Sequence, residues 1–308
     1  MEKDSLIYVA GHTGFVGSAI VRKLKEFGYS NLLLKTEKEL DLKDQCKTRE
    51  FFERKKPEYV FLTAEKSGGI LANSTYPADF IYQNIMIQTN VIHSAYQTGV
   101  KKLLFLGSSC SYPKLCPQPM KEEYLLSGYL EPTNEAYAVA KIAGIKMCQA
   151  YNRQYGTNFI SVIPANLYGI NDDFDLQGSH VIPALIRKFH EAKVSGVESV
   201  TLWGSGKPRR EFLYVDDFVD ACIFLMNKYD SSEVINVGTG RDISIAELAG
   251  LIKEVVGFEG KIIYDTTKPD GMPRKILDVR KISSLGWEAK TEMKKGIKIT
   301  YEWYQVNL

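Results

Sequence analysis

The sequence predicts an α/β protein: a doubly wound parallel sheet, then a smaller C-terminal α/β domain suited to holding a substrate. Three observations predict it. Short apolar, β-prone runs alternate with longer stretches of helical periodicity through the first half of the chain. The first of those runs leads directly into a glycine-rich turn that opens a helix. Beyond residue 170 the alternation loosens, which sets the expected units at 1–170 and 171–308, with some later segments free to return to the first.

Leu6-Ile7-Tyr8-Val9-Ala10 suits a buried parallel strand. Gly11, His12, Thr13, Gly14, Phe15, Val16 and Gly17 follow, and Ser18 to Phe27 has helical spacing, with Ile20, Val21, Leu24 and Phe27 apolar. Strand, glycine turn and helix form the setting in which a pyrophosphate rests on a helix N-terminus. The spacing is GxxGxxG rather than GxGxxG, and a ligand-free tight turn is the competing reading. Asn31 to Lys35 reads as the second strand, whose end chooses between the two nicotinamide dinucleotides. Lys35 and Lys38 suit a 2′-phosphate and Glu37 opposes one, so this stretch votes both ways.

Tyr59 to Leu62 reads as a third strand, Asp79 to Gln97 as a long helix with a wide apolar face, and Lys102 to Leu106 as a fourth strand. The strand ends in Gly107-Ser108-Ser109-Cys110, the position where ligands meet an open parallel sheet. Later, Val181 to Ala192 and Asp216 to Met226 read as helices, Thr201 to Trp203 as a strand, and Glu292 to Tyr304 as the closing helix.

Composition narrows the function. Hydrophobic residues are 44% and charged residues 25%, ordinary for a globular protein, and the net charge of +2 makes no case for nucleic acid or an acidic membrane. No apolar run is long enough to span a bilayer. The N-terminus enters a strand-like segment without a signal-peptide pattern, so a cytoplasmic protein is expected. Cys46, Cys110, Cys116, Cys148 and Cys222 are odd in number, scattered and without a CxxC pair, which fits reduced thiols and no metal site.

The chemistry gathers on the helix that opens near Asn134. Tyr137 and Lys141 are four apart and share a helix face. An ammonium beside a phenol lowers the phenol's pKa, which is the expected effect of Lys141 on Tyr137. Taken alone, the pair is better accounted for by an ordinary amphipathic helix, because this spacing occurs by chance. Joined to the glycine turn and to Ser108 at a strand end, it forms the set for carbonyl reduction: the serine hydroxyl binds the carbonyl oxygen and the tyrosine protonates it.

Through these residues the chain resembles the extended short-chain dehydrogenase/reductase family, which implies a Rossmann-type fold, and within it the GDP-L-fucose synthase group. The resemblance rests on residues 11–17, Gly-Gly-Ile-Leu-Ala-Asn (68–73), Pro-Ala-Asp-Phe-Ile-Tyr-Gln-Asn (77–84), Gly-Ser-Ser-Cys-Ser-Tyr-Pro (107–113) and residues 130–144. Ser-His-Val-Ile-Pro-Ala-Leu (179–185), Arg-Arg-Glu-Phe-Leu-Tyr-Val-Asp-Asp (209–217) and Lys-Pro-Asp-Gly-Met-Pro-Arg-Lys (268–275) complete it. It implies an enzyme that epimerises a GDP-4-keto-6-deoxy-sugar at C3 and C5 and reduces it at C4. Ser108, Tyr137 and Lys141 would be the reductase triad, and Cys110 and His180 the epimerase base and acid. Cofactor contacts are implied along Gly11 to Gly17 and at Lys35, Leu106, Gly107, Ser109, Lys141, Pro164, Asn166 and Leu167. Sugar-nucleotide contacts are implied at Lys188, Trp203, Arg210 and Asp270. NADP(H) is favoured, with NAD(H) open because Thr13 and Glu37 stand where many members carry arginine. A homodimer paired through the 79–97 and 137–155 helices is also implied.

The chain departs from the family pattern at Thr63, Glu65 and Ser67, and at Ser111 and Ala165. The changes at 63–67 face the expected cleft, and two rivals stay open: a 4-reductase of a related GDP-keto-sugar such as a heptose, with little epimerisation, and a non-catalytic nucleotide-sugar sensor. The intact Ser108, Tyr137 and Lys141 set speaks against the sensor.

Overall fold

The structure is a computed structural model that describes residues 1–307 except Gln177 and Pro269. The backbone of Ile70 is described but its side chain is not. Pro269, within the 268–275 motif, lies outside the described residues.

The chain opens with β1 (Ile7–Ala10), α1 (Phe15–Glu26), β2 (Leu32–Leu33), α2 (Gln45–Lys55), β3 (Tyr59–Leu62), α3 (Ile70–Thr75), α4 (Pro77–Gln97) and β4 (Lys102–Leu106). It continues with α5 (Glu135–Tyr155), β5 (Phe159–Pro164), β6 (Asn166–Tyr168), α6 (Val181–Ser195), β7 (Ser199–Trp203), β8 (Arg209–Tyr214) and α7 (Val215–Lys228). The last elements are β9 (Ile235–Val237), β10 (Asp242–Ser244), α8 (Ile245–Val256), β11 (Lys261–Asp265), β12 (Arg274–Lys275), α9 (Arg280–Ser284) and α10 (Met293–Asn307).

Six strands form one parallel sheet in the order β2-β1-β3-β4-β5-β9. β1 is flanked by β2 on one side and β3 on the other, so the chain reverses its direction of travel across the sheet there. That switch opens a crevice at the carboxyl ends of β1 and β3. The strands are apolar because helices cover both faces: Ile7, Val9, Val60, Phe61, Leu103, Leu104, Ile160 and Val162 are fully buried. Each such side chain contributes about 1.5–3 kcal/mol of burial. β9, α7 and α9 pack into this same core, through Val219, Ile235 and Ile282.

A second core joins α6, α8 and α10 with β7 and β8, around Ile186, Phe189, Leu248, Ile252 and Ile297. Here β8 pairs with β10, β12 and β6, and β7 pairs with β11. The second core lies beside the sheet, and β6, which follows β5 directly, connects the two.

α4 and α5 lie close together. A Cβ on Gly144 would stand 2.3 Å from Phe105 and 2.9 Å from the Gln88 side chain, so only glycine permits the approach. The Gln88 amide donates to the Ala140 carbonyl at 2.7 Å across the same contact. This packing sets the face of α5 that carries Tyr137 and Lys141 against the ends of β3 and β4. Among the described residues no helix is long and apolar enough to cross a membrane.

Candidate active site

The glycine turn has the shape a dinucleotide requires. Gly11 sits at φ +85°, where a side chain would be strained and a Cβ would meet the Ala64 backbone at 2.7 Å. A Cβ on Gly17 would stand 2.0 Å from the Gly11 carbonyl oxygen. The turn therefore folds back on the first turn of α1. Gly14 caps that helix with no side-chain cap, leaving its leading amides for a ligand, and the buried His12 Nδ1 lacks a protein partner. These features fit a pyrophosphate. Beyond β2, Lys35 pairs with Glu39 at 2.7 Å and Lys43 pairs with Glu37, so both lysines already hold a carboxylate.

Beyond β4, Ser108 starts a single turn of 3-10 helix spanning Ser109–Ser111, and its Oγ accepts from the Cys110 amide at 3.2 Å. Ser108 also stands near the Tyr137 oxygen and acts to lower its pKa. Lys141 is almost fully buried; its ammonium donates to the Leu106 carbonyl at 2.7 Å and pairs with Glu65. Tyr137 lies edge-on to Phe80, and its hydroxyl donates to Glu65 Oε2 at 3.2 Å.

This corrects one expectation. Lys141 does not leave Tyr137 with a lowered pKa. Burial pushes the phenol well above its ordinary value, and the Glu65 carboxylate pushes it further, against the lowering effect of Ser108. Lys141 spends its charge on Glu65 instead.

Cys110 is half-buried beside this group. The Asn134 amide donates to its sulfur at 3.2 Å, and the Lys275 ammonium approaches to 3.9 Å. His180 opens α6 as its N-cap but makes no capping bond, so its ring is free for the cleft. Surrounding protein holds its pKa below the usual imidazole value, opposed by the charges of Glu65 and Asp173. The two short segments that carry Glu65 and His180 meet where the Gly69 amide donates to the Gly178 carbonyl at 2.8 Å.

His180 also lines a cavity of about 370 Å³ with Asn166, Leu167, Trp203, Arg210 and Asp270. Arg210 reaches the Met272 carbonyl at 2.6 Å, and Asp270 accepts from the Ser205 amide at 2.8 Å, so the loops on either side of the mouth are tied together. Trp203 is 72% exposed, with the Lys268 ammonium 5.7 Å from its ring centroid. Asn166 and Leu167, expected to touch the cofactor, stand on the wall of this cavity, and Lys188, half-buried on α6, is outside its lining. Sequence reasoning passed over Asn134 and Lys275 as partners of Cys110, although both lie inside motifs it had picked out. Glu65 stands out in the sequence only as a departure from the family pattern, with no role legible there.

A parallel sheet with a dinucleotide turn at its switch point, a Ser–Tyr–Lys set at the strand ends and an adjoining polar cavity defines a nicotinamide-dependent enzyme of carbonyl chemistry. The chain belongs to the NAD dependent epimerase/dehydratase family, whose profile it matches over residues 7–238. It is 60% identical over 307 residues to GDP-L-fucose synthase 1 of Arabidopsis thaliana, covering 100% of this chain and 95% of that one. It is 53% identical over 310 residues to the GDP-L-fucose synthase of Escherichia coli (strain K12), covering 98% and 97%. Among solved structures it superposes on a GDP-6-OMe-4-keto-L-xylo-heptose reductase from C. jejuni with a TM-score of 0.95, at 44% identity, covering 100% of this chain and 99% of that one.

Proposed function

We propose that the protein makes a GDP-6-deoxy-L-hexose, GDP-L-fucose, from GDP-4-keto-6-deoxy-mannose by 3,5-epimerisation followed by NADPH-dependent reduction. The observation that carries this reading is the grouping of Cys110, Ser108, Tyr137 and Lys141 at one strand end, with His180 entering from α6. Protons on C3 and C5 are acidified by the neighbouring C4 carbonyl. Cys110 removes a proton and His180 returns one to the opposite face, while Ser108 and Tyr137 hold the enolate oxygen. In the reduction, Tyr137 gives its proton to the C4 oxygen, and Ser108 keeps that oxygen in place. The nicotinamide, when bound along Gly11–Gly17, supplies the hydride. Lys141 would orient its ribose.

Arg210 suits the diphosphate, Trp203 the guanine or ribose, and Asp270 a donor on either. NADP(H) is favoured, with Lys35 just beyond β2 suited to a 2′-phosphate that would take the place of its Glu39 partner. The same reading has the protein working in the cytoplasm and pairing as a homodimer through α4 and α5, whose Tyr82 and Val139 are exposed. The heptose reductase superposition favours a second reading, 4-reduction of a GDP-keto-heptose. Cofactor oxidation followed at 340 nm with each GDP-keto-sugar decides. Rapid oxidation with GDP-4-keto-6-deoxy-mannose supports the first reading, preference for the heptose the second, and oxidation with neither sinks both.

A further inference from the structure

We propose that Glu65 is a positioning residue for the reduction: standing between the Tyr137 hydroxyl and the Lys141 ammonium, its carboxylate keeps Tyr137 a proton donor and sets the alkaline limit of turnover. The proposal rests on the functional reading above. One carboxylate oxygen, Glu65 Oε2, serves both partners, at 3.2 Å from the Tyr137 hydroxyl and in an ion pair with Lys141. The Glu65 side chain is only 17% exposed and that of Lys141 4%, so bulk water screens the pair weakly.

The carboxylate is held there by the chain around it. Thr63 fastens to the Ala10 carbonyl twice, through its amide at 3.1 Å and its hydroxyl at 2.7 Å. Asn84, buried on α4, grips the Lys66 main chain from both sides, accepting from its amide at 3.0 Å and donating to its carbonyl at 2.9 Å. Glu65 lies between these two anchors.

The groups facing the Tyr137 hydroxyl are Ser108 and Cys110 from the end of β4, Lys141 on α5, Glu65 from the end of β3 and the apolar edge of Phe80 on α4. His180, at the start of α6, feels the same Glu65 charge. Among the described residues acting on Tyr137, Glu65 is the one carboxylate. Reduction breaks the Tyr137 O–H bond, forms an O–H bond on the C4 oxygen and leaves a phenolate, which takes a proton from solvent before the next turnover. An unopposed Lys141 ammonium would hold that phenolate and withhold the proton. Glu65 cancels the ammonium and adds a like charge beside the phenol, which favours reprotonation.

The test is the isosteric Glu65→Gln variant of the full chain, read in two ways. The alkaline pKa in the pH profile of kcat/KM for reduction, with NADPH and GDP-4-keto-6-deoxy-mannose, is expected to fall by about 1–3 units. Without substrate, the 13Cζ resonance of Tyr137, identified by its loss in Tyr137→Phe, is expected to titrate lower by the same amount in the variant. An unmoved Tyr137 titration overturns the proposal whatever the enzyme turns over. A moved titration in a protein that reduces no GDP-keto-sugar leaves the hold on Tyr137 standing and overturns the functional reading.

Discussion

Asp172 lies in the loop that leads to His180, and its pH dependence can be worked from its surroundings. The side chain is buried, its Oδ1 accepts from the Asp173 amide at 2.8 Å, and its Oδ2 has no protein partner. Burial pushes its carboxyl from the ordinary 3.8 up to about 7, with Asp173 adding repulsion. Because the folded pKa is the raised one, the folded state binds more protons than the unfolded chain between these values. Stability is therefore full below pH 3.8 and falls as pH rises through about 7. At 1.36 kcal/mol per unit the loss has a ceiling of about 4 kcal/mol, and water entering beside the charged form reduces it to about 2. Asp172→Asn keeps the Oδ1 acceptor and removes the charge. The variant should exceed the natural protein by no more than about 1 kcal/mol at pH 4.5 and by about 2–4 kcal/mol at pH 8 in urea denaturation. Equal or lower stability of Asp172→Asn at pH 8 would refute the reasoning.

Other perturbations address the site and its frame. Gly17→Ala forces a Cβ against the Gly11 carbonyl, so NADPH affinity measured by fluorescence should fall at least about tenfold while far-UV circular dichroism is retained. Tyr137→Phe should lower kcat for reduction by about 10²–10⁴-fold with NADPH affinity kept, as measured by stopped-flow absorbance and isothermal titration. Glu211, 1% exposed, accepts from the amides of Thr239 at 2.6 Å, Gly240 at 2.7 Å and Leu277 at 2.7 Å. Glu211→Ala strands the buried Leu277 amide and two partly buried ones and should cost about 2–4 kcal/mol, visible as a lowered urea midpoint.

The sheet was legible because its strands are buried on both faces: Tyr59–Leu62 and Leu103–Leu106 are continuous apolar runs, and both strands appear at the positions read from the sequence. The second strand shrank to Leu32–Leu33 because an edge of two paired residues carries little pattern. α4 buries Asn84, Gln88 and Asn90 as well as Phe80, Val91 and Ile92, and no hydrophobic count distinguishes such polar residues from a solvent face. Their partners come from distant loops and from α5, which is tertiary information. The Ser108, Tyr137 and Lys141 grouping was readable because strand-end position and helical spacing are local properties. The direction of the Tyr137 shift was not, since it depends first on burial by the folded chain and then on Glu65, 72 residues away, whose carboxylate reaches Lys141 only when β3 lies beside β4. The partners of Cys110 were hidden for the same reason: Lys275 arrives from 165 residues downstream.

The most direct test of the central claim is one reaction in D₂O with NADPH and GDP-4-keto-6-deoxy-mannose, analysed by mass spectrometry and NMR of the product. The account predicts one NADPH oxidised per sugar, solvent deuterium at both C3 and C5, and loss of that deuterium in Cys110→Ser. A reduced product with no deuterium at C3 and C5 from the natural protein would contradict it.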